Sequence, residues 1–224
     1  MNRWLTLLLW FSAWSGYAQQ RTWDTIPNQP EHYQKRVAEF KSQPVVKGKT
    51  VFLGNSITES GNWKKLLGDS SVINRGISGD ITFGVQQRLP DIIALKPAKL
   101  FLMIGINDLS KGIPDEIVLQ NILSIVYAVH KGSPQTKIYV QSLLPVNPTV
   151  EQFPQRFNKA DHILTINAQL ARHVTALGGT YIDLHSKFTD DQGNLKAAYT
   201  YDGLHLTAAG YKHWVAVLRS LKYL

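Results

Sequence analysis

The 224-residue chain has no cysteine. Disulfides and a lipid-modified cysteine anchor are therefore excluded, and stability must come from a packed core. Past the first twenty residues, no apolar run approaches the roughly 20 residues that a membrane-spanning helix needs. Positive charge is in excess, at a formal +8, but it is not concentrated. Its densest clusters are pairs such as Lys64-Lys65. Nucleic-acid binding usually needs a basic patch on a recognisable module; neither is present, so no nucleic-acid partner is expected. The seven histidines show no metal-ligand spacing such as H-E-x-x-H, and no metal is expected. Repeats, low-complexity tracts and long Gly/Ser linkers are absent too.

What is present begins with MNRWLTLLLWFSAWSGYAQQ. Arg3 precedes an apolar run from Trp4 to Trp14, and Gly16-Tyr17-Ala18 supplies small residues for cleavage. This is the pattern of a secretory signal peptide over residues 1–18. The run is too short to span a bilayer. The expectation is export, to the periplasm or beyond the cell. Residues 19–48 are polar and contain Pro27, Pro30 and Pro44. Within them the spacing predicts a short helix over His32–Lys41, with Tyr33, Val37 and Phe40 on its apolar face. This stretch reads as an extension packed on one domain formed by residues 49–224.

Through that domain, strand-like and helix-like segments alternate. Strands are expected at Thr50–Leu53, Ser71–Asn74, Lys99–Ile104, Lys137–Leu143 and Thr180–Asp183. Helices are expected at Asn62–Leu67, Phe83–Leu95, Asp115–His130, Asn158–Leu177 and Thr207–Leu221. Pro90 should bend or break the second helix. Pro114 sits where the third should start. Gly178-Gly179 should end the fourth. The alternation implies an α/β fold, a mainly parallel five-stranded sheet covered by helices on both faces. In such sheets ligands bind beyond the carboxyl ends of the strands. The loops to search are 54–58, 75–82, 105–112, 144–157 and 184–206.

The first loop, in VFLGNSIT, places Ser56 just after a strand. It lacks the second glycine of G-x-S-x-G, because Thr58 stands there. NRGISGD brings Gly76 and Gly79, and GIND brings Asn107. DGLH brings Asp202 and His205. A serine hydroxyl needs a base, and that base works best when a carboxylate fixes its tautomer. Asp202 and His205 are three residues apart, which in a helical turn puts both side chains on one side. The N–H groups of Ser56 and Gly79 and the Asn107 amide are candidate oxyanion donors. Each residue also has an ordinary reading. Ser56 can cap a helix. Gly79 and Asn107 can serve their turns. Asp202-Gly203 can be a simple turn, and His205 can be packed.

Together these blocks resemble the SGNH hydrolases, also called GDSL esterases. GNSIT, NRGISGD, GIND and DGLH occur in the family's order between about Lys49 and Leu221. The resemblance implies Ser56 as nucleophile, His205 as general base and then acid, and Asp202 as orienting carboxylate. It also implies an oxyanion hole made by Ser56 N–H, Gly79 N–H and the Asn107 amide. The implied fold is a flavodoxin-like three-layer α/β/α sandwich, without metal or organic cofactor. One departure is visible: the family's Gly-Asp-Ser-Leu is Gly-Asn-Ser-Ile here, with Asn55 beside Ser56.

Within the family, GNSIT, NRGISGD, SLLP at Ser142–Pro145 and YDGLHLTAAGY at Tyr201–Tyr211 are similar to two groups. These are the platelet-activating-factor acetylhydrolase-like proteins and the carbohydrate O-acetylesterases. The implied substrate is a small acyl ester or an acetylated glycan. Candidate substrate contacts are Trp63, Phe153 and Tyr201. Phe153 lies in the long 144–157 loop, a candidate lid or specificity element. Alternatives are a lysophospholipase or thioesterase on the same scaffold, and a glycan-binding protein without activity.

Overall fold

A computed structural model describes residues 23–150 and 158–224; the expectations placed on residues 1–18 and on Phe153 lie outside them. Its centre is a sheet of five parallel strands: β1 (Thr50–Gly54), β2 (Ile73–Gly76), β3 (Lys99–Met103), β4 (Lys137–Gln141) and β5 (Gly179–Ile182). β1, β3 and β4 read TVFLG, KLFLM and KIYVQ, and beyond their first residue all are buried. Such continuous apolar strands need cover on both faces.

The strand order is β2-β1-β3-β4-β5. The chain leaves β1 toward one edge and, from β3 on, builds toward the other. β1 and β3 are therefore neighbours from which successive connections diverge, the position at which open α/β sheets hold ligands.

Ten helices accompany the strands among the described residues. They are α1 (Pro30–Ser42), α2 (Ser56–Glu59), α3 (Trp63–Leu67), α4 (Thr82–Gln87) and α5 (Leu89–Ala94). After these come α6 (Ile106–Ser110), α7 (Asp115–Gly132), α8 (Ala160–His173), α9 (His185–Phe188) and α10 (Ala208–Ser220). Asn62 caps α3 through Lys65 N–H, and Thr207 caps α10 through Gly210 N–H. Pro90 breaks the expected Phe83–Leu95 helix into α4 and α5, with Arg88 as the joint.

Several boundaries differ from the sequence reading. β2 starts two residues later, because the Asp69 side chain accepts the Ser71 N–H and holds Ser71 in a turn. α8 stops at His173, and a separate 3-10 turn, Thr175–Leu177, carries the chain to Gly178. GIND is not a simple loop: α6 begins directly after Gly105.

An aromatic ladder crosses the sheet. Phe52, Phe101 and Tyr139 are register partners on β1, β3 and β4. Their rings stack with centroids 4.8 Å apart at each step. Trp63 from α3 extends the ladder, 3.9 Å from Phe52, and Trp214 from α10 meets Trp63 edge-on at 4.9 Å. With right-handed crossovers, α3 and α10 share this face, while α4, α5, α7 and α8 cover the other.

Helix α1 lies against the domain at Tyr33 and Phe40, which pack with Ile77. The Tyr33 hydroxyl donates to Gly84 O at 2.7 Å.

Candidate active site

Three strand ends converge at one edge of the sheet. β1 leads into Ser56, β2 into Gly79 and β3 into Asn107. Ser56 is the first residue of α2. The helix is capped by Asn55, whose Oδ1 accepts the Ile57 N–H at 3.1 Å. Asn55 thus uses the carbonyl acceptor that it shares with aspartate. α2 can sit this close to β2 because of Gly76. A Cβ there would come within 2.2 Å of Glu59 N.

Asp202 and His205 lie in the loop before α10, shaped by Thr200. The Thr200 hydroxyl donates to His205 O at 2.8 Å and accepts the Gly203 N–H at 2.9 Å. Asp202 Oδ1 accepts the N–H groups of Leu204 and His205, at 2.9 and 2.6 Å. Its Oδ2 lies 2.6 Å from His205 Nδ1, and His205 Nε2 lies 2.9 Å from Ser56 Oγ. Burial pushes the Asp202 carboxyl up, but the bonds from the His205 ring and backbone hold it below the usual carboxylate value. An ionised Asp202 can only accept, so Nδ1 carries the hydrogen in neutral His205. Nε2 then presents its lone pair to the Ser56 hydroxyl.

Gly79 occupies the third position of the turn 77–80, in which Asp80 N–H donates to Ile77 O at 3.1 Å. Its φ of +77° is the left-handed value that such a turn asks of glycine. Asn107, buried in α6, donates one amide hydrogen to Asp80 O at 2.9 Å. That bond fixes the plane of an amide whose second N–H is not used by it.

The model of the GDSL-like lipase/acylhydrolase family matches residues 52–213. The chain belongs to that family. Its sheet and covering helices match those of SGNH hydrolase neighbours, and it is an ester hydrolase. It is 30% identical over 181 residues to a platelet-activating factor acetylhydrolase IB subunit alpha1 from Pongo abelii, across 76% of this chain and 74% of that one. A solved structure from Streptococcus pneumonia, named for platelet activating factor, superposes with a TM-score of 0.75 at 31% identity. It covers 85% of this chain and 92% of its own. An acetylxylan esterase from Geobacillus stearothermophilus shares the fold, with a TM-score of 0.60 at 23% identity over 80% of this chain and 96% of that one.

In this GDSL-like acylhydrolase, one expected substrate contact is overturned. Trp63 is 1% exposed, stacked on Phe52, and its indole N–H donates to Thr58 O at 2.8 Å. It is a core residue behind α2. Tyr201, by contrast, is 58% exposed, and its ring lies parallel to that of His205 with centroids 6.0 Å apart. Tyr201 also lines a groove of about 720 Å³ with Ser60, Asn62, Lys65, Leu66 and Tyr211 among its walls.

Two buried acids, Asp80 and Asp108, were given no role by the sequence. Asp80 Oδ2 receives Arg88 Nε and Nη2 at 3.0 and 2.8 Å. The same guanidinium donates to Arg75 O and Gly54 O at 2.9 and 3.1 Å, joining the ends of β1 and β2. Asp108 accepts the Thr82 N–H and hydroxyl, tying α6 to α4. Burial pushes its carboxyl up to about 7 against those bonds. Both acids adjoin motif residues in SGD and GIND, and that adjacency was the available signal. Nothing in the sequence pairs Arg88 with Asp80.

Among the described residues no group of three His, Asp or Glu side chains could hold a metal, and no helix is long and apolar enough to cross a membrane.

Proposed function

We propose that this esterase removes short acyl groups, above all acetyl, from carbohydrates through a Ser56-His205-Asp202 triad. The observation that carries the reading is the unbroken line from Ser56 Oγ to His205 Nε2, at 2.9 Å, and from His205 Nδ1 to Asp202 Oδ2, at 2.6 Å. His205 takes the Ser56 proton as Oγ attacks the ester carbonyl. The oxyanion that forms is met by the Ser56 and Gly79 N–H groups and by the second N–H of the Asn107 amide. His205 then returns the proton to the departing alkoxide, leaving an acyl-enzyme. Water, activated by the same imidazole, hydrolyses it. Asp202 stays ionised and stabilises the imidazolium.

The carbohydrate assignment is supported by the groove that Tyr201 lines, its ring parallel to that of His205. Tyr201 offers an aromatic face, while Ser60, Asn62 and Lys65 offer polar groups along its walls. Sugar rings use both kinds of contact. The acetylxylan esterase among the structural neighbours, and export by the expected leader at residues 1–18, agree with it.

The test is a screen of acetylated sugars, glycans and lysophospholipids, together with p-nitrophenyl esters of rising chain length. Acetate should be preferred to octanoate. The lipid-directed reading is favoured by the platelet-activating-factor acetylhydrolase relatives, and a preference for phospholipid or lysophospholipid esters over acetylated sugars would select it. The Ser56→Ala variant should lose activity on p-nitrophenyl acetate. A variant as active as wild type would remove Ser56 as nucleophile.

A further inference from the structure

Outside the triad line, Glu59, at the end of the short helix that Ser56 begins, gathers polar partners from α1 and from the turn that carries Gly79. Glu59 Oε2 accepts both the backbone N–H and the hydroxyl of Ser78, each at 2.6 Å. His32 Nε2 lies 3.0 Å from the same oxygen and 3.1 Å from Oε1. Arg36 Nε lies 2.9 Å from Oε1, an ion-pair distance, although its N–H does not point along that axis. Burial pushes this carboxyl up, but the bonds from Ser78 and His32 outweigh it and hold Glu59 below the usual carboxylate value. Glu59 is therefore an anion in the neutral range.

Ser78 immediately precedes Gly79, and Gly79 is held from its other side as well. Asn28 N–H donates to Gly79 O at 2.9 Å. A Cβ on Gly79 would stand 3.0 Å from Gln29 N and 3.2 Å from Asn28 Cβ. The segment leading into α1 thus lies directly on the glycine. Across the turn, Asp80 O is bonded by Asn107. Ser78, Gly79 and Asp80 are thus each bonded from outside the turn, and Glu59 ties Ser78 to the nucleophile's own helix, beside the bonds that Asn74 Nδ2 gives from β2 to Thr58 O and Glu59 O at 3.0 and 2.9 Å.

We propose that Glu59 is a positioning residue: it fixes Ser78 to α2 through the Ser78 backbone N–H and hydroxyl, so that the N–H of the next residue, Gly79, and that of Ser56 keep one separation. Asn28, His32 and Arg36, from the segment before α1 and from α1 itself, form the outer brace of this clamp. The inference rests on the proposed function in taking those two N–H groups as oxyanion donors. Two donors serve a developing charge only if their spacing matches the tetrahedral intermediate and not the ground-state carbonyl. A backbone N–H cannot be deleted, but it can be displaced. Displacement by about 1 Å costs up to roughly a hundredfold.

The test uses Glu59→Gln, Ser78→Ala and the double variant in the full chain, with p-nitrophenyl acetate as substrate. Melting temperature and circular dichroism report the fold, and the rate of inactivation by a fluorophosphonate gives a second readout of the oxyanion site. Glu59→Gln should lower kcat roughly ten- to hundredfold with KM within about threefold. Fluorophosphonate inactivation should slow in parallel, since its phosphoryl oxygen needs the same donors. Ser78→Ala, which keeps the backbone N–H, should lose less. The double variant should lose clearly less than the product of the two single losses. His32→Ala should give a several-fold loss in kcat. An unchanged kcat in Glu59→Gln, a loss confined to KM, or a loss matched by the unfolded fraction would overturn the proposal. If Glu59→Gln does not fold, Ser78→Ala decides alone: a lower kcat at unchanged KM supports the clamp, and a wild-type kcat removes it. Activity persisting in Ser56→Ala would instead strike the nucleophile assignment, and so is distinguishable.

Discussion

Asp202 grips His205 at two points. One carboxylate oxygen accepts the His205 backbone N–H and the other meets the ring at Nδ1, both at 2.6 Å. The three-residue spacing lets one acid set the backbone, the ring plane and the tautomer of the base together. Asp202→Asn should therefore do more than remove a charge. The amide can present N–H to Nδ1 and stabilise the tautomer whose Nε2 carries the hydrogen. We expect kcat to fall by about four orders of magnitude, with the melting temperature little changed. Steady-state kinetics on p-nitrophenyl acetate at pH 8 measures it.

Asn55 answers a narrower question, what an amide changes where the Gly-Asp-Ser-Leu pattern has a carboxylate. Its working atom is Oδ1, the cap on Ile57 N–H. Asn55→Asp keeps that acceptor, so kcat and thermal stability should both stay close to wild type. Asn55→Ala removes the cap and should cost about 1 kcal/mol. Parallel melting curves of the two variants test the contrast.

Asp108 makes a pH prediction whose sign is fixed. Burial raises its folded-state carboxyl to about 7 from an ordinary value of 3.8. The folded protein thus binds this proton more tightly than the unfolded chain does. The stabilisation is complete below the unfolded value and is lost as pH rises from about 4 through 7. Asp108→Asn has no such proton. Its melting temperature relative to wild type should therefore climb between pH 4 and pH 8. A difference that is flat with pH, or that falls, would contradict the raised value.

Trp63 and Tyr201 should separate cleanly. Trp63→Ala empties the end of the aromatic ladder and should cost about 3–5 kcal/mol of stability. Tyr201→Ala removes an exposed ring beside the triad. It should raise KM several-fold for acetylated oligosaccharides while leaving kcat on p-nitrophenyl acetate within about threefold. Denaturant titration of the first variant and paired kinetics of the second provide the comparison.

Much of this architecture was legible because it is local. β1, β3 and β4 are unbroken apolar runs, and the blocks around Ser56, Gly79, Asn107 and His205 each follow an element end. In an α/β sheet, element ends share an edge. What was not legible depends on partners far apart in sequence. Trp63 lies next to the nucleophile's helix, and only the ladder from Phe52 to Tyr139 shows that its ring points inward. Glu59 and Ser78 are 19 residues apart, and neither residue type announces the other. The β2 boundary slipped because the Asp69 side chain, and not apolar pattern, decides where the strand begins.

The distance along the chain between Ser56 and His205 has a consequence for biogenesis. The two are separated by 149 residues, and the loop bearing the base is held in place by the closing helix, α10. Under the proposed triad, a chain still emerging from the ribosome has its nucleophile but not its base. It should be hydrolytically silent until α10 docks. The first turnover would thus report that α10 and the His205 loop are in place, and a chromogenic ester added during refolding would read it directly.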